Sequence, residues 1–97
     1  MNKKKIQLFL LPFAGGNSAS FKRLTDLLDS HIEVISVEYA GRLSRYKEDY
    51  ITDYEKFLED VASYIHGRRS DLPIAVLGYS LGSVLAFDLI TKRKIGG

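Results

Sequence analysis

Six residues near the amino terminus, Ile6-Gln7-Leu8-Phe9-Leu10-Leu11, constrain the fold more than any other stretch. Five of the six are apolar and they do not alternate with polar residues, so a strand built from them has no face to give to water. Such runs suit strands covered on both sides, as in parallel sheets flanked by helices. Pro12 ends the run because it has no N–H for a central ladder. Phe13-Ala14-Gly15-Gly16-Asn17 then reads as a glycine-rich loop.

The rest of the chain repeats the alternation. Ser18 or Ser20 can cap a helix whose apolar stripe is Phe21, Leu24, Leu27 and Leu28. Ile32-Glu33-Val34-Ile35-Ser36-Val37 is a second strand, rich in β-branched residues. A long polar connection studded with aromatics runs from Glu38 to Asp53, and loops of that length inside compact domains are often functional. Asp53 can cap a second helix with Tyr54, Phe57, Leu58, Val61, Ala62 and Ile65 on one face, and Gly67 reads as its stop. Pro73 opens a third strand, Ile74-Ala75-Val76-Leu77. The last helix, Leu81 to Ile90, is apolar nearly all round, as buried helices are. The order β-α-β-α-β-α predicts an α/β fold: parallel strands, right-handed crossovers, one domain over residues 1–97.

Composition narrows the function classes. With 45% hydrophobic and 27% charged residues the chain is globular rather than disordered. The net charge of +2 gathers in Lys3-Lys4-Lys5 and Lys92-Arg93-Lys94, which read as solvated ends. No basic run is interleaved with aromatics, which speaks against a nucleic-acid partner. The absence of cysteine excludes a disulfide framework and a cysteine-ligated metal, and suits the cytoplasm. The run from Ile6 to Phe13 is too short for a membrane span and is better explained as a buried strand than as a leader, so no membrane partner is expected.

The chemistry centres on Gly78-Tyr79-Ser80-Leu81-Gly82. A G-x-S-x-G pattern arises by chance in roughly 3% of chains this long, so its weight comes from the strand before it and the helix after it. In that context it forms a nucleophile elbow, with Ser80 on a strained turn and Gly78 and Gly82 keeping the neighbouring backbone clear. Acyl transfer also needs N–H donors for an oxyanion. The amide of Leu81 is the first, at the positive end of a helix. The second is expected from Phe13-Ala14-Gly15, because sites in open parallel sheets collect beyond the carboxyl ends of the strands. No phosphate-loop pattern is present.

Together, Leu11-Pro12-Phe13-Ala14-Gly15-Gly16, Gly41-Arg42-Leu43-Ser44-Arg45 and Gly78-Tyr79-Ser80-Leu81-Gly82 resemble the type II thioesterases of nonribosomal peptide and polyketide synthesis, which are α/β-hydrolases. The resemblance runs from about Ile6 to Ile90. The family usually has His before the nucleophile and Met after it, where this chain has Tyr79 and Leu81, and Pro-Gly-Arg where it has Ala40-Gly41-Arg42. The resemblance implies Ser80 as nucleophile and the amides of Ala14 and Leu81 as the oxyanion hole. It implies a substrate acyl group on the phosphopantetheine arm of an acyl or peptidyl carrier protein. Phe13, Arg42, Arg45 and Tyr79 would meet that substrate or carrier, with solvated loop arginines as the plain alternative for Arg42 and Arg45. Neither a metal nor a further cofactor is implied.

One part of the machinery is not found. After Ser80 the chain has one aspartate, Asp88, within the last helix, and no histidine. His31 and His66 belong to the amino ends of the strands, roughly 17–20 Å from Ser80 for strands of five to six residues. The sequence therefore reads as the amino-terminal portion of such a domain, with acid and base beyond residue 97, little activity alone, and a tail that suits a premature end. Its third strand would be an exposed edge and its last helix partly bare, which favours self-association. Another esterase of the same fold and a non-catalytic carrier-binding fragment are the alternatives.

Overall fold

The computed structural model describes residues 3–13, 16, 22–28, 30–41, 43–49, 51–92 and 94–95. Strand β1 (Ile6–Leu11) leads to helix α1 (Lys22–Leu27) and strand β2 (Ile32–Ser36). After a short 3-10 turn at Leu43–Arg45 come α2 (Tyr54–Arg68), β3 (Ile74–Gly78) and α3 (Leu81–Thr91). The three strands form one parallel sheet in the order β2-β1-β3. Ile6 lies opposite Ile32 on one side of β1, and Gln7 opposite Ile74 on the other. The most apolar strand is thus the central one, as its sequence demands.

Alternate residues of a strand point to opposite faces. Phe9 and Leu11 enter a core shared with Leu58, Val61, Ala62 and Ile65 of α2 and Leu85 and Leu89 of α3. These four α2 residues belong to the stripe expected for that helix, and Asp53 caps it by accepting from the Lys56 N–H at 3.0 Å. The helix does not stop at Gly67 but runs on to Arg68. A side chain of β1 shapes its exit instead. Gln7, 1% exposed, donates through Nε2 to the Arg68 carbonyl at 3.1 Å and to Glu33 Oε1 at 2.8 Å. Its Oε1 accepts from the Ser70 N–H at 2.8 Å.

Other expectations are revised. Leu27, assigned to the packed stripe of the first helix, is 83% exposed. A helix of six residues makes fewer than two turns and cannot carry four stripe positions to one face. Phe21, Ser18 and Ser20 lie outside the described residues. Helix α3 is buried on one face only. Val84, Phe87 and Ile90 are exposed, as is Leu77 on the edge strand β3. The second lysine cluster is not merely solvated. Lys92 pairs with Glu55 and Lys94 with Glu59, one turn apart on α2, and Ile95 is buried in the core.

Candidate active site

The carboxyl end of β3 turns into α3 through Ser80, whose φ of 57° and ψ of −115° lie in a region that residues with a Cβ rarely occupy. Holding a residue there costs about 1–3 kcal/mol and requires the surroundings to over-determine it. They do. The Tyr79 N–H donates to the Leu11 carbonyl at 3.1 Å, tying the turn to the end of β1. The Gly82 N–H donates to the Tyr79 carbonyl at 3.0 Å. The Ser80 carbonyl accepts from the Ser83 N–H at 2.9 Å and from Ser83 Oγ at 2.6 Å.

The flanking glycines are required by space. A Cβ at Gly78 would stand 2.0 Å from the Gly82 carbonyl oxygen, and one at Gly82 would stand 1.9 Å from the Leu11 carbonyl oxygen. The elbow is therefore pressed against itself and against the end of β1. Ser80 heads α3 yet makes no side-chain capping bond to it, and it is exposed. Its hydroxyl is thus free of the helix that it starts. The Leu81 N–H follows as one of the first-turn amides without an intrahelical acceptor. It is directed where helix geometry favours negative charge.

Two aromatic rings flank this turn. Phe13 and Tyr79 meet edge to face, with ring centroids 5.9 Å apart and planes at 88°. Both are exposed on the outside, at 42% and 58%. This contact joins the loop after β1 to the elbow. Within that loop the Gly16 N–H donates to the Phe13 carbonyl at 2.8 Å. Ala14 and Arg42 lie outside the described residues.

Arg45 is neither a solvated loop residue nor a free cation for a phosphate. A guanidinium has five N–H donors, and here all are taken. Nε and Nη2 hold Glu48 at 2.7 and 2.8 Å, and Nη1 and Nη2 hold Asp60 at 2.9 and 2.8 Å. The remaining Nη1 donor reaches the Glu38 carbonyl at 2.9 Å. The hydrogen bonds to Glu48 and then Asp60 push its pKa further up, and the same bond lowers that of Glu48. Arg45 is a clamp that fastens the long connection after β2 to α2. Arginines in loops are read as surface charge unless their acceptors, here up to fifteen residues away, are known.

A residue that the sequence did not single out is Tyr39. Its hydroxyl donates to the Pro12 carbonyl at 2.6 Å, and its ring meets Phe57 edge to face at 5.0 Å. Its position two residues after Val37, at the exit of the second strand, was the available signal.

The other ionisable groups are engaged elsewhere. Asp88 accepts from the Tyr54 hydroxyl at 2.5 Å, on the side of α3 that faces α2. His66 Nε2 is 2.7 Å from the Lys94 carbonyl. His31 immediately precedes β2, and its carbonyl accepts from the Lys5 N–H. In a parallel sheet both histidines belong to the edge opposite Ser80. Among the described residues no group of three or more His, Asp or Glu is placed to hold a metal, and no helix is long and apolar enough to cross a membrane.

Comparison with known proteins agrees with this geometry. A family model described as a thioesterase domain matches residues 6–93. The gramicidin S biosynthesis protein GrsT of Aneurinibacillus migulanus is 34% identical over 85 residues. The match covers 88% of this chain and 33% of GrsT, so the chain spans about a third of that relative's length. The crystal structure of ClbQ from the colibactin NRPS/PKS pathway superposes with a TM-score of 0.85 at 26% identity, over 93% of this chain and 38% of ClbQ. The RedJ thioesterase of the prodiginine biosynthetic pathway in Streptomyces coelicolor gives a TM-score of 0.82 at 27% identity, over 94% of this chain and 35% of RedJ. The three parallel strands and their helices thus match the amino-terminal part of an α/β-hydrolase fold.

Proposed function

The chain belongs to the thioesterase domain family, and from that premise we propose that it carries the nucleophile half of a carrier-protein thioesterase. Ser80 attacks the carbonyl of an acyl group held as a thioester on the phosphopantetheine arm of an acyl or peptidyl carrier. The C–S bond breaks, the arm leaves as a thiol, and the acyl group passes to Ser80 until water releases it. The amides of Leu81 and Ala14 receive the oxyanion. Phe13 and Tyr79 flank the approach, and Arg42 meets the carrier or the phosphate of its arm. The cytoplasm is the compartment in which such carriers would be met.

The observation that carries this reading is the Ser80 backbone, strained at φ 57° and ψ −115° with a hydroxyl free of helix capping. A fold retains such strain where the geometry is used. Serine needs a general base to become a good nucleophile. Both histidines belong to the wrong edge, so these residues alone give the oxyanion hole without proton transfer. Removing a triad member still leaves about 10³–10⁴ over the uncatalysed rate, while losing the base costs about 10⁶ in one well-studied protease.

The test is acyl release from a loaded carrier, followed by mass spectrometry, with Ser80→Ala as the comparison. Slow, Ser80-dependent acyl transfer, orders of magnitude below a full-length relative, is expected. Turnover equal to that of a full-length relative would refute the missing-base part. Equal rates for wild type and Ser80→Ala would refute the nucleophile. Preference for the same acyl group as a simple oxygen ester would favour a general esterase instead.

A further inference from the structure

Resting on the reading of Ser80 as the acyl-accepting nucleophile, we infer that Ser83 is a positioning residue. Its hydroxyl holds the carbonyl of Ser80 and thereby aims and strengthens the oxyanion donor at Leu81. A peptide group is planar, so the Ser80 carbonyl and the Leu81 N–H point to opposite sides of one rigid unit. Whatever fixes that oxygen fixes that hydrogen. Three donors from the first turn of α3 reach the oxygen: the Ser83 N–H at 2.9 Å, the Val84 N–H at 3.4 Å and Ser83 Oγ at 2.6 Å. The two amides belong to any helix start, whose capping carbonyl accepts the first intrahelical bonds. The hydroxyl is the shortest of the three and is the one that the side chain adds.

The rotation that turns this peptide plane is ψ of Ser80, and it stands at −115° beside a φ of 57°. Backbone in so sparse a region persists only when its surroundings over-determine it, and the extra bond does so at the plane that matters. The bond also acts electronically. A carbonyl that accepts a hydrogen bond draws density from the N–H of its own peptide group, and linked hydrogen bonds strengthen one another by about 10–30%. The Ser83 hydroxyl, the Ser80–Leu81 peptide and a developing oxyanion form such a chain. Serines within helices often bond back to a carbonyl one turn earlier, at a small cost to the helix. Here that carbonyl belongs to the nucleophile. Ser83 is exposed, so replacing it opens no cavity in the core.

The experiment measures acylation of Ser80 by p-nitrophenyl acetate, read as mass gain on the peptide containing Ser80, with Ser80→Ala as the blank. The serine oxygen takes the acetyl group, p-nitrophenolate leaves, and the serine proton passes to water. Loss of a whole oxyanion donor typically costs about 10²–10³, and weakening one by about 10–30% scales to a loss of about two- to eightfold. Ser83→Ala and Ser83→Val remove the hydroxyl in two different shapes. Each is expected to slow acylation by that factor, with a melting temperature near that of wild type, as for most exposed substitutions. Ser83→Thr has the shape of valine and a hydroxyl that can again reach the carbonyl one turn back, so it should acylate close to the wild-type rate. The amide nitrogen resonance of Leu81 reports the same polarisation without any chemistry at Ser80. It should move upfield in Ser83→Ala and Ser83→Val and return in Ser83→Thr. Folded hydroxyl-free variants that acylate at the wild-type rate overturn the role of Ser83 and leave the nucleophile reading standing. Ser83→Thr as slow as Ser83→Val does the same, and so does a Leu81 resonance that does not move. Wild type that is not labelled at Ser80 overturns the nucleophile reading and the role of Ser83 with it.

Discussion

Replacing Gly82 by alanine tests the elbow without touching its serine. The new Cβ would lie 1.9 Å from the Leu11 carbonyl oxygen, about 1.5 Å inside the 3.4 Å at which ordinary contact begins. Both partners are backbone, one in the central strand and one in the first turn of α3, so no side chain can swing away. Relief requires α3 to move off β1. Such overpacking costs about 1–3 kcal/mol. The movement also strains the bond from Tyr79 N–H to that same Leu11 carbonyl, and a buried carbonyl left unpaired costs about 1–3 kcal/mol more. Alanine in a helix returns about 0.5–1 kcal/mol, so the net loss is about 1–5 kcal/mol. A domain of this length has only about 5–15 kcal/mol in total. Urea unfolding followed by far-UV circular dichroism is the assay. With a slope near 1–1.5 kcal/mol per molar, the midpoint should fall by about 1 M or more. Gly67→Ala is the control, since nothing lies within 4 Å of a Cβ there. It should gain about 0.5–1 kcal/mol. A Gly82→Ala protein within about 0.5 kcal/mol of wild type would refute the steric argument, as would equal effects at both glycines.

Gln7→Leu should lower stability by about 2–4 kcal/mol, because it strips partners from the Arg68 carbonyl, the Ser70 N–H and Glu33 at about 1–3 kcal/mol for a group left unsatisfied. A change below 0.5 kcal/mol in chemical denaturation would show that water replaces the amide. Burial first, and then the bond to Asp88, raise the Tyr54 pKa to about 12 from 10. The folded state therefore favours the neutral phenol, and the associated stability is intact below about pH 10 and lost as pH rises toward 12. Tyr54→Phe should flatten that part of the alkaline melting profile, and an unchanged profile would count against the assignment. The bare face of β3 and α3 should drive self-association, visible in sedimentation velocity as mass above the monomer. Phe87→Glu should reduce it, whereas a wild-type monomer at every concentration would exclude it.

Where the sequence was legible, the relevant forces were local or periodic. The bounds of β1 and the buried face of α2 follow from runs and spacings that few alternatives satisfy, and Asp53 caps as its position predicts. The strain at Ser80 was also legible, because G-x-S-x-G names a backbone geometry rather than a side-chain contact. What could not be read depends on partners distant in the chain. The end of α2 is shaped by Gln7, which lies 61 residues before the carbonyl that it binds. Gly67 offers an obvious local stop that the fold does not use. Leu27 has the right spacing for a stripe, but α1 is too short for the stripe to matter. Arg45 looks like surface charge until its acceptors, Glu48 three residues on and Asp60 of α2, are in place.

The clamp and the elbow divide the work of the sheet's carboxyl edge between them. Arg45 fastens the connection after β2 to α2, which fixes the backbone from Glu38 onward and so the place of Tyr39. Tyr39 then holds Pro12 at the end of β1, and Leu11, one residue earlier, holds Tyr79 of the elbow. The path from α2 to Ser80 thus runs through backbone carbonyls at the carboxyl ends of β2 and β1. On the proposed reading, such a path can keep an oxyanion hole in register with a nucleophile but cannot move a proton. A base would have to approach Ser80 from outside this path. The open side is the one where Leu77, Val84 and Phe87 are uncovered. From Ile74 to Thr91 the chain has a single charged residue, Asp88, and it is bonded to α2. The uncovered face beside Ser80 is therefore apolar, and contact there would be driven by burial rather than by charge pairing.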